Sequence, residues 1–303
     1  MNSSTPPFDV IIVGGSYAGL SAALLLGRAL YRVLVLDNGQ PANRQTPHSH
    51  SFLTRDGETP AQLSAIAREQ ALAYPTVQWR EATVITAKAE GAGFQVGTQT
   101  GETFNARRLL LATGLRDILP PIPGFADCWG ISVLHCPYCH GYEVRGETVG
   151  ILANGEGGFE FVKRIHHWNP AVSLFTNGPS TLTEEQTAKL RQHSIRIIET
   201  PIAAIQHQSG QLQAVQLADD TTVPLVALYA HSELRQSNDL AEQLGCKLDD
   251  LGFVVVDAMG KTTVPGVFAA GDAHTMLRQV VVAASNGLKA AAMISKELID
   301  EEF

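Results

Sequence analysis

The feature that most constrains this chain is a glycine-rich turn between an apolar strand and a helix, a pattern that occurs twice. Phe8 to Val13 is a β-branched apolar run, followed by Gly14-Gly15-Ser16-Tyr17-Ala18-Gly19 and an Ala/Leu-rich stretch from Leu20 to Ala29. Arg32 to Leu36 then reads as a second strand, ending on Asp37. These runs have the periodicity of a strand, a helix and a strand, a βαβ opening. A second opening begins at Val149 to Leu152, turns through Ala153 to Gly158, continues as a helix over Phe159 to Trp168, and returns as a strand at Val172 to Phe175.

Two such openings in 303 residues predict an α/β fold with two doubly wound, Rossmann-like domains, the second inserted in the first. Leu109 to Ala112 is a strand stopped by Thr113-Gly114, and Pro120, Pro121 and Pro123 then interrupt regular structure, which places a crossing between domains there. Residues 1–116 and 242–303 are assigned to the first domain and 117–241 to the inserted one. Further strands are expected at Pro201 to Leu217, Val223 to Tyr229, Phe253 to Val256 and Val267 to Ala270, and a long C-terminal helix from Leu277 to Ile299.

Composition narrows the function. Apolar residues make up 45 % and charged residues 17 %, which suits packed cores rather than disorder. The net charge of −8 and the lack of a Lys/Arg-rich run argue against nucleic acid as a partner, and membrane association is not indicated. The first seven residues have no basic segment of a secretory leader, and no apolar run reaches membrane-spanning length, so a cytoplasmic protein is expected. In that compartment the close pair among Cys128, Cys136, Cys139 and Cys246 is catalytic or metal-binding rather than part of a disulfide framework, and Cys128 and Cys246 read as ordinary buried thiols.

The first turn has the elements of a dinucleotide site. Its backbone N–H groups can approach a pyrophosphate at the helix N-terminus. Gly14 supplies the tight turn and Gly19 the close helix–strand packing, while Ser16 stands at the middle glycine position. Asp37 can accept bonds from ribose hydroxyls. The fingerprint alone does not choose between FAD and NAD.

Cys136-Pro137-Tyr138-Cys139 has the spacing of a small redox disulfide, with Pro137 suited to a first helical turn. At a helix N-terminus such a thiol is acidified and supplies the thiolate for exchange. A zinc site would need four ligands, and no second Cys-x-x-Cys or His-x-x-x-His pair occurs. With His140 the motif also spells a c-type haem attachment site, which would make the chain an electron-transfer protein.

Leu110-Leu111-Ala112-Thr113-Gly114 and Val264-Pro265-Gly266-Val267-Phe268-Ala269-Ala270-Gly271-Asp272 complete the pattern. Taken with the first turn and the cysteine pair, they make the chain resemble the low-molecular-weight thioredoxin reductase family of flavoprotein disulfide oxidoreductases over nearly its whole length. The resemblance implies FAD, held by Gly14, Ser16, Ala18, Gly19 and Asp37, by Ala112, Thr113 and Gly114, and by Gly271 and Asp272, with Asp272 on the ribitol. It places Arg278, Gln279 and Val280 beside the isoalloxazine ring. It makes Cys139 the flavin-proximal sulfur, exchanging electrons with flavin C4a, and Cys136 the interchange thiol. It also implies a homodimer.

The sequence departs from that family in two places. His140 stands where an acidic residue usually follows the second cysteine, and is assigned the proton-shuttle role. In the second domain Ala153 replaces the first glycine of the nucleotide turn, and Thr176-Asn177-Gly178 offers neither a cation for a 2′-phosphate nor an acid for a ribose. NADPH use is therefore doubtful. The combination is similar to two offshoots of the family, the dithiol oxidases and the diflavin-linked disulfide oxidoreductases. It implies a dithiol substrate, protein or small molecule, oxidised through Cys136 and Cys139 to FAD. Electrons would leave to oxygen, to a second FAD or to another carrier. Tyr17, Trp129 and Tyr142 are candidates to stack on a second flavin, with ordinary packing as the alternative for each. The segment His48 to Gly57 is a further departure, expected to contact flavin or a partner subunit. The competing assignment is an NAD(P)H-dependent thioredoxin reductase.

Overall fold

The computed structural model describes residues 8–303, so the reading that the first seven residues carry no secretory leader lies outside the described residues. The chain divides into two compact units. One takes the chain through Arg44, Pro60–Arg116 and Leu234–Phe303, and the other takes Gln45–Thr59 and Asp117–Glu233. The chain thus leaves the first unit twice. The short excursion, residues 45–59, includes the segment from His48 to Gly57.

In the first unit the strands Val77–Glu81, Val33–Asp37, Phe8–Val13 and Thr103–Leu111 lie side by side, with Val267–Ala269 against the last of them. All of these pairings are parallel. The antiparallel strands Val84–Glu90 and Gly93–Thr98 continue the sheet from the first half of Thr103–Leu111. Alternation along the parallel strands separates two cores. Val10, Ile12, Val33, Val35 and Leu110 face one, and Ile11, Val13, Leu34, Leu36, Leu109 and Leu111 the other. Burial on both faces explains why these strands read as continuous apolar runs. The helices Tyr17–Arg28 and Val280–Glu302 share the first core, and a Cβ at Gly287 would lie 2.0 Å from the Ala18 carbonyl oxygen. That glycine permits the two helices to touch backbone to backbone.

The second unit is built on a parallel sheet ordered Arg196–Ile198, Val172–Phe175, Val149–Leu152, Ala227–Ala230 and Val133–Leu134. The helices Gly155–Ile165 and Glu184–Gln192 accompany it, the second opened by a capping box between Thr183 and Gln186. Val133–Leu134 is an edge strand that leads straight into the cysteine pair.

The α/β, doubly wound reading is correct, and several element bounds are corrected. Pro201 to Leu217 is a hairpin, Ile202–Gln208 and Gln211–Leu217, because Ser209 and Gly210 both take positive φ and reverse the chain. Val223 to Tyr229 divides between Thr222–Pro224 and Ala227–Ala230. Phe253 to Val256 forms only isolated bridges, Val254 with Leu248 and Val256 with Thr262. The C-terminal helix starts at Val280, since Gln279 is extended and caps it. The helix of the second opening begins at Gly155 rather than Phe159, because the Asn154 side chain caps it there. No helix among the described residues is long and apolar enough to cross a membrane.

Candidate active site

Ligands of open α/β sheets bind at the carboxyl ends of the strands. In the first unit a cleft lies there, where Phe8–Val13, Val33–Asp37 and Thr103–Leu111 end. Its wall includes Gly14, Ser16 and Ala18 of the first turn, Asp37, and Ala112-Thr113-Gly114. Gly271, Asp272, Arg278, Gln279 and Val280 complete it from the C-terminal region. Of the residues predicted for the cofactor, Gly19 alone is not on the wall. It lies behind the turn, where a Cβ would meet the Gly14 carbonyl oxygen at 1.9 Å. Gly14 itself has φ +103°, and its Cβ would lie 2.2 Å from the Ala112 carbonyl oxygen.

This cleft fits a dinucleotide. The helices Tyr17–Arg28 and Val280–Glu302 both begin at it, and neither has a side-chain cap, which leaves first-turn N–H groups for an anion. Asp37 accepts from the N–H of Gly15 at 2.8 Å and of Gly39 at 3.1 Å, which fixes the carboxylate while leaving lone pairs toward ribose hydroxyls. Arg278 donates from Nε to Asp272 Oδ2 at 3.1 Å. The cleft also includes Asn38, Asn43, Ser237 and Asn238, loop residues with no motif to reveal them. The Tyr17 hydroxyl donates to the Pro60 carbonyl and accepts from Asn43, and burial raises its pKa while the Asn43 bond opposes this.

In the second unit Cys136 and Cys139 form a disulfide, with Cα atoms 5.3 Å apart. The helix expected after Cys136 is only the four residues Pro137–His140. Cys136 caps it, its Sγ accepting the Cys139 N–H at 3.2 Å. Cys128 and Cys246 are free and buried, and burial raises both thiol pKa values. His140 is half-buried, and burial pulls its imidazole below the ordinary histidine range. The Glu143 carboxylate opposes that shift and His50 adds to it. A histidine of this kind is neutral at pH 7 and can accept a thiol proton.

His50 belongs to the segment 45–59, which packs within this unit. Its Nδ1 lies 3.6 Å from Asp56 Oδ2 and its Nε2 lies 3.4 Å from Glu143 Oε1. The sequence points the segment holding His50 to flavin or a partner subunit and gives Glu143 no role, whereas within this chain the segment groups with the unit of the cysteine pair. Pairing between residues so distant in sequence leaves no periodic signal. The three aromatic candidates for a second flavin have different settings. Trp129 is buried and stacked between Phe125 and His135, Tyr142 is 65 % exposed beneath Arg145, and Tyr17 belongs to the first unit.

The second glycine-rich turn is bonded to the segment that follows Phe175. Asn154 Oδ1 accepts from Gly155 N–H, from Thr181 N–H at 2.9 Å and from Thr181 Oγ1 at 3.2 Å. Asn154 Nδ2 donates to the Pro179 carbonyl at 2.9 Å. Gln186 donates to Glu156, whose charge sits in the first turn of the helix. A Cβ at Gly155 would lie 2.8 Å from Thr181 Oγ1. Asn177 adopts φ +52° and accepts the Ile202 N–H at 2.8 Å.

The model of the family described as pyridine nucleotide-disulphide oxidoreductase matches residues 8–287. A thioredoxin reductase of Claviceps purpurea, tcpT, is 34 % identical, the alignment covering 96 % of this chain and 94 % of that protein. Among solved structures, a putative thioredoxin reductase, TrxB, from Bacillus anthracis superposes with a TM-score of 0.94 at 31 % identity, covering 98 % of this chain and all of that one. An oxidoreductase from Agrobacterium tumefaciens gives a TM-score of 0.90 at 38 % identity, covering 97 % and 99 %.

Proposed function

For a chain that belongs to the pyridine nucleotide-disulphide oxidoreductase family, and is a thioredoxin reductase-like flavoprotein disulfide oxidoreductase, we propose that the substrate is a dithiol and that nicotinamide takes no part. The observation that carries this reading is the second glycine-rich turn, where Asn154 ties the start of the helix to Thr181 and Glu156 adds a negative charge. A pyrophosphate would have to displace those bonds and sit against a carboxylate.

In this reading FAD binds the cleft of the first unit, one per chain, with Asp37 on the ribose and Asp272 on the ribitol. The bound flavin supplies a two-electron acceptor for the reduced cysteine pair. A substrate thiolate attacks Cys136 Sγ, the Cys136–Cys139 bond breaks, and Cys139 leaves as a thiolate. The second substrate thiolate attacks the sulfur of the mixed disulfide, which releases Cys136 and leaves the substrate as a disulfide. Two electrons then reside on the cysteine pair. His140, neutral at the outset, takes a thiol proton and returns it to the leaving thiolate. The reading requires that Cys139 reach the flavin, and the working form is proposed to be a homodimer.

The competing reading is an NAD(P)H-fed reductase of a disulfide partner, favoured by the names of the relatives from Claviceps purpurea and Bacillus anthracis. Anaerobic mixing of the FAD-loaded protein with dithiothreitol, NADPH or NADH separates the two. Rapid bleaching near 450 nm by the dithiol and slow or absent bleaching by both nicotinamides is the expected result. Rapid bleaching by NADPH would overturn the proposal.

A further inference from the structure

The segment 45–59 leaves the first unit for fifteen residues and groups with the unit that holds the disulfide. Its two arms close on each other, Ser49 N–H donating to the Glu58 carbonyl at 2.8 Å and Gly57 N–H to the Ser49 carbonyl at 2.9 Å. Between them Ser51 N–H donates to Asp56 Oδ1 at 2.7 Å, which fixes that carboxylate. The fixed Asp56 then faces one nitrogen of His50, and Glu143 faces the other. Glu143 lies three residues beyond His140, on the tight turns that follow the disulfide loop. We propose that His50, held between Asp56 and Glu143, is a positioning residue that fixes the Glu143 carboxylate beside His140 and so sets when His140 takes the thiol proton.

The inference rests on the dithiol reading and adds a residue to it. The electrostatics have opposed signs. The Glu143 charge favours a protonated His140, whereas a protonated His50 disfavours it. Other charged and titratable groups also face the pair. His48 stands 6.5 Å from His50, ring to ring, with its Nδ1 2.9 Å from the Gly57 carbonyl oxygen. Arg55 pairs with Glu58, and Tyr229 feels Glu143 from the neighbouring strand. The exchange itself is the one described above. Electrons pass from two substrate sulfurs to the Cys136–Cys139 bond, and each thiol proton passes through His140, so that no further reactant enters.

In Glu143→Gln the favourable charge is gone, and the midpoint of His140 moves to lower pH. In His50→Leu the Glu143 carboxylate loses its partner, and the midpoint moves the same way by less. His50→Gln keeps a donor toward Glu143 and is expected to return the midpoint most of the way to the wild-type value, which a packing defect would not allow. Histidine ring NMR of the oxidised, FAD-loaded protein reads the His140 midpoint without turnover. Anaerobic bleaching by dithiothreitol from pH 5 to 9 reads the proton step, and its acid limb should follow the NMR midpoint in each variant. If His50→Leu leaves the His140 midpoint in place or raises it, or if His50→Gln shifts it as far as His50→Leu does, the proposal is overturned. It is also overturned if the NMR midpoints move while the acid limb stays put. Failure of the wild-type protein to bleach with any dithiol would sink the dithiol reading instead, and the NMR arm would still decide the coupling of His50, Glu143 and His140.

Discussion

Asn154 Oδ1 accepts the backbone N–H of Thr181 at 2.9 Å and that of Gly155 at 2.8 Å, so one side chain ties the start of the helix to the segment after Phe175. The same oxygen caps the helix Gly155–Ile165. Replacing Asn154 by Ala removes the cap, and should lower stability by about 1 kcal/mol in urea unfolding. It should not create nicotinamide reduction of the flavin, because Glu156 remains and no cation is gained. Bleaching of Asn154→Ala by NADPH at a rate comparable with dithiothreitol would show that this tie alone blocks the site.

Gly14 is the second position where backbone geometry decides the outcome. Its φ of +103° and the 2.2 Å approach of a Cβ to the Ala112 carbonyl oxygen leave no room for a side chain. Gly14→Ala must move the turn away from the Ala112-Thr113-Gly114 strand end. Left-handed strain alone costs about 1–3 kcal/mol. The purified variant should therefore lose flavin, read as a fall in the 450 nm to 280 nm absorbance ratio. Retention of a full complement of FAD by Gly14→Ala would place the cofactor elsewhere.

Much of this was legible in the sequence, for a physical reason. Phe8 to Val13 and the turn after it are local, and a strand buried on both faces displays itself as an unbroken apolar run. Gly14, Asp37, Asp272 and Arg278 come together because parallel strands align their carboxyl ends, which topology alone dictates. The pairing of His50 with Glu143 was not legible, since it joins a short excursion to a loop far along the chain. Nor was the role of Asn154, whose partners Pro179 and Thr181 follow a strand that had been read only for missing charges. The hairpin carries a turn signal, Ser209-Gly210 flanked by Gln208 and Gln211, that an unbroken strand over Pro201 to Leu217 ignores.

Three histidines, His140 and His274 half-buried and His231 at the surface, give the protein a response to acid. His140, His231 and His274 all have their pKa lowered, burial being the largest cause in each. For His231 the Arg164 charge adds to it, and for His274 the Lys289 charge adds while its own backbone and Asp272 oppose. A base whose folded pKa lies below its unfolded value binds fewer protons folded than unfolded in the interval between the two. Stability therefore rises with pH across that interval and falls as the pH drops below the ordinary histidine range of about 6.5. The urea midpoint should be flat above pH 7 and decline toward pH 5. His231→Phe, which keeps a ring against Phe161, should remove part of that slope. An unchanged slope in that variant would mean that His231 titrates normally.

The cysteine pair gives the sharpest test of electron path. Cys139→Ser keeps the size of the side chain but abolishes the Cys136–Cys139 disulfide, so the pair has no bond for a dithiol to reduce. The Cys136 N-cap geometry does not depend on the sulfur of Cys139, since it is the Cys139 backbone N–H that Cys136 Sγ accepts. Folding and flavin content should therefore persist, as an unchanged flavin spectrum would report. Bleaching by dithiothreitol should fall by about three orders of magnitude or more, as when one member of a cooperating catalytic set is removed. In the same variant Cys136 is left a free thiol, and it should take up one equivalent of a disulfide probe that the wild-type protein does not. Bleaching of Cys139→Ser at the wild-type rate would mean that dithiols reach the flavin directly, and that the disulfide is not on the path.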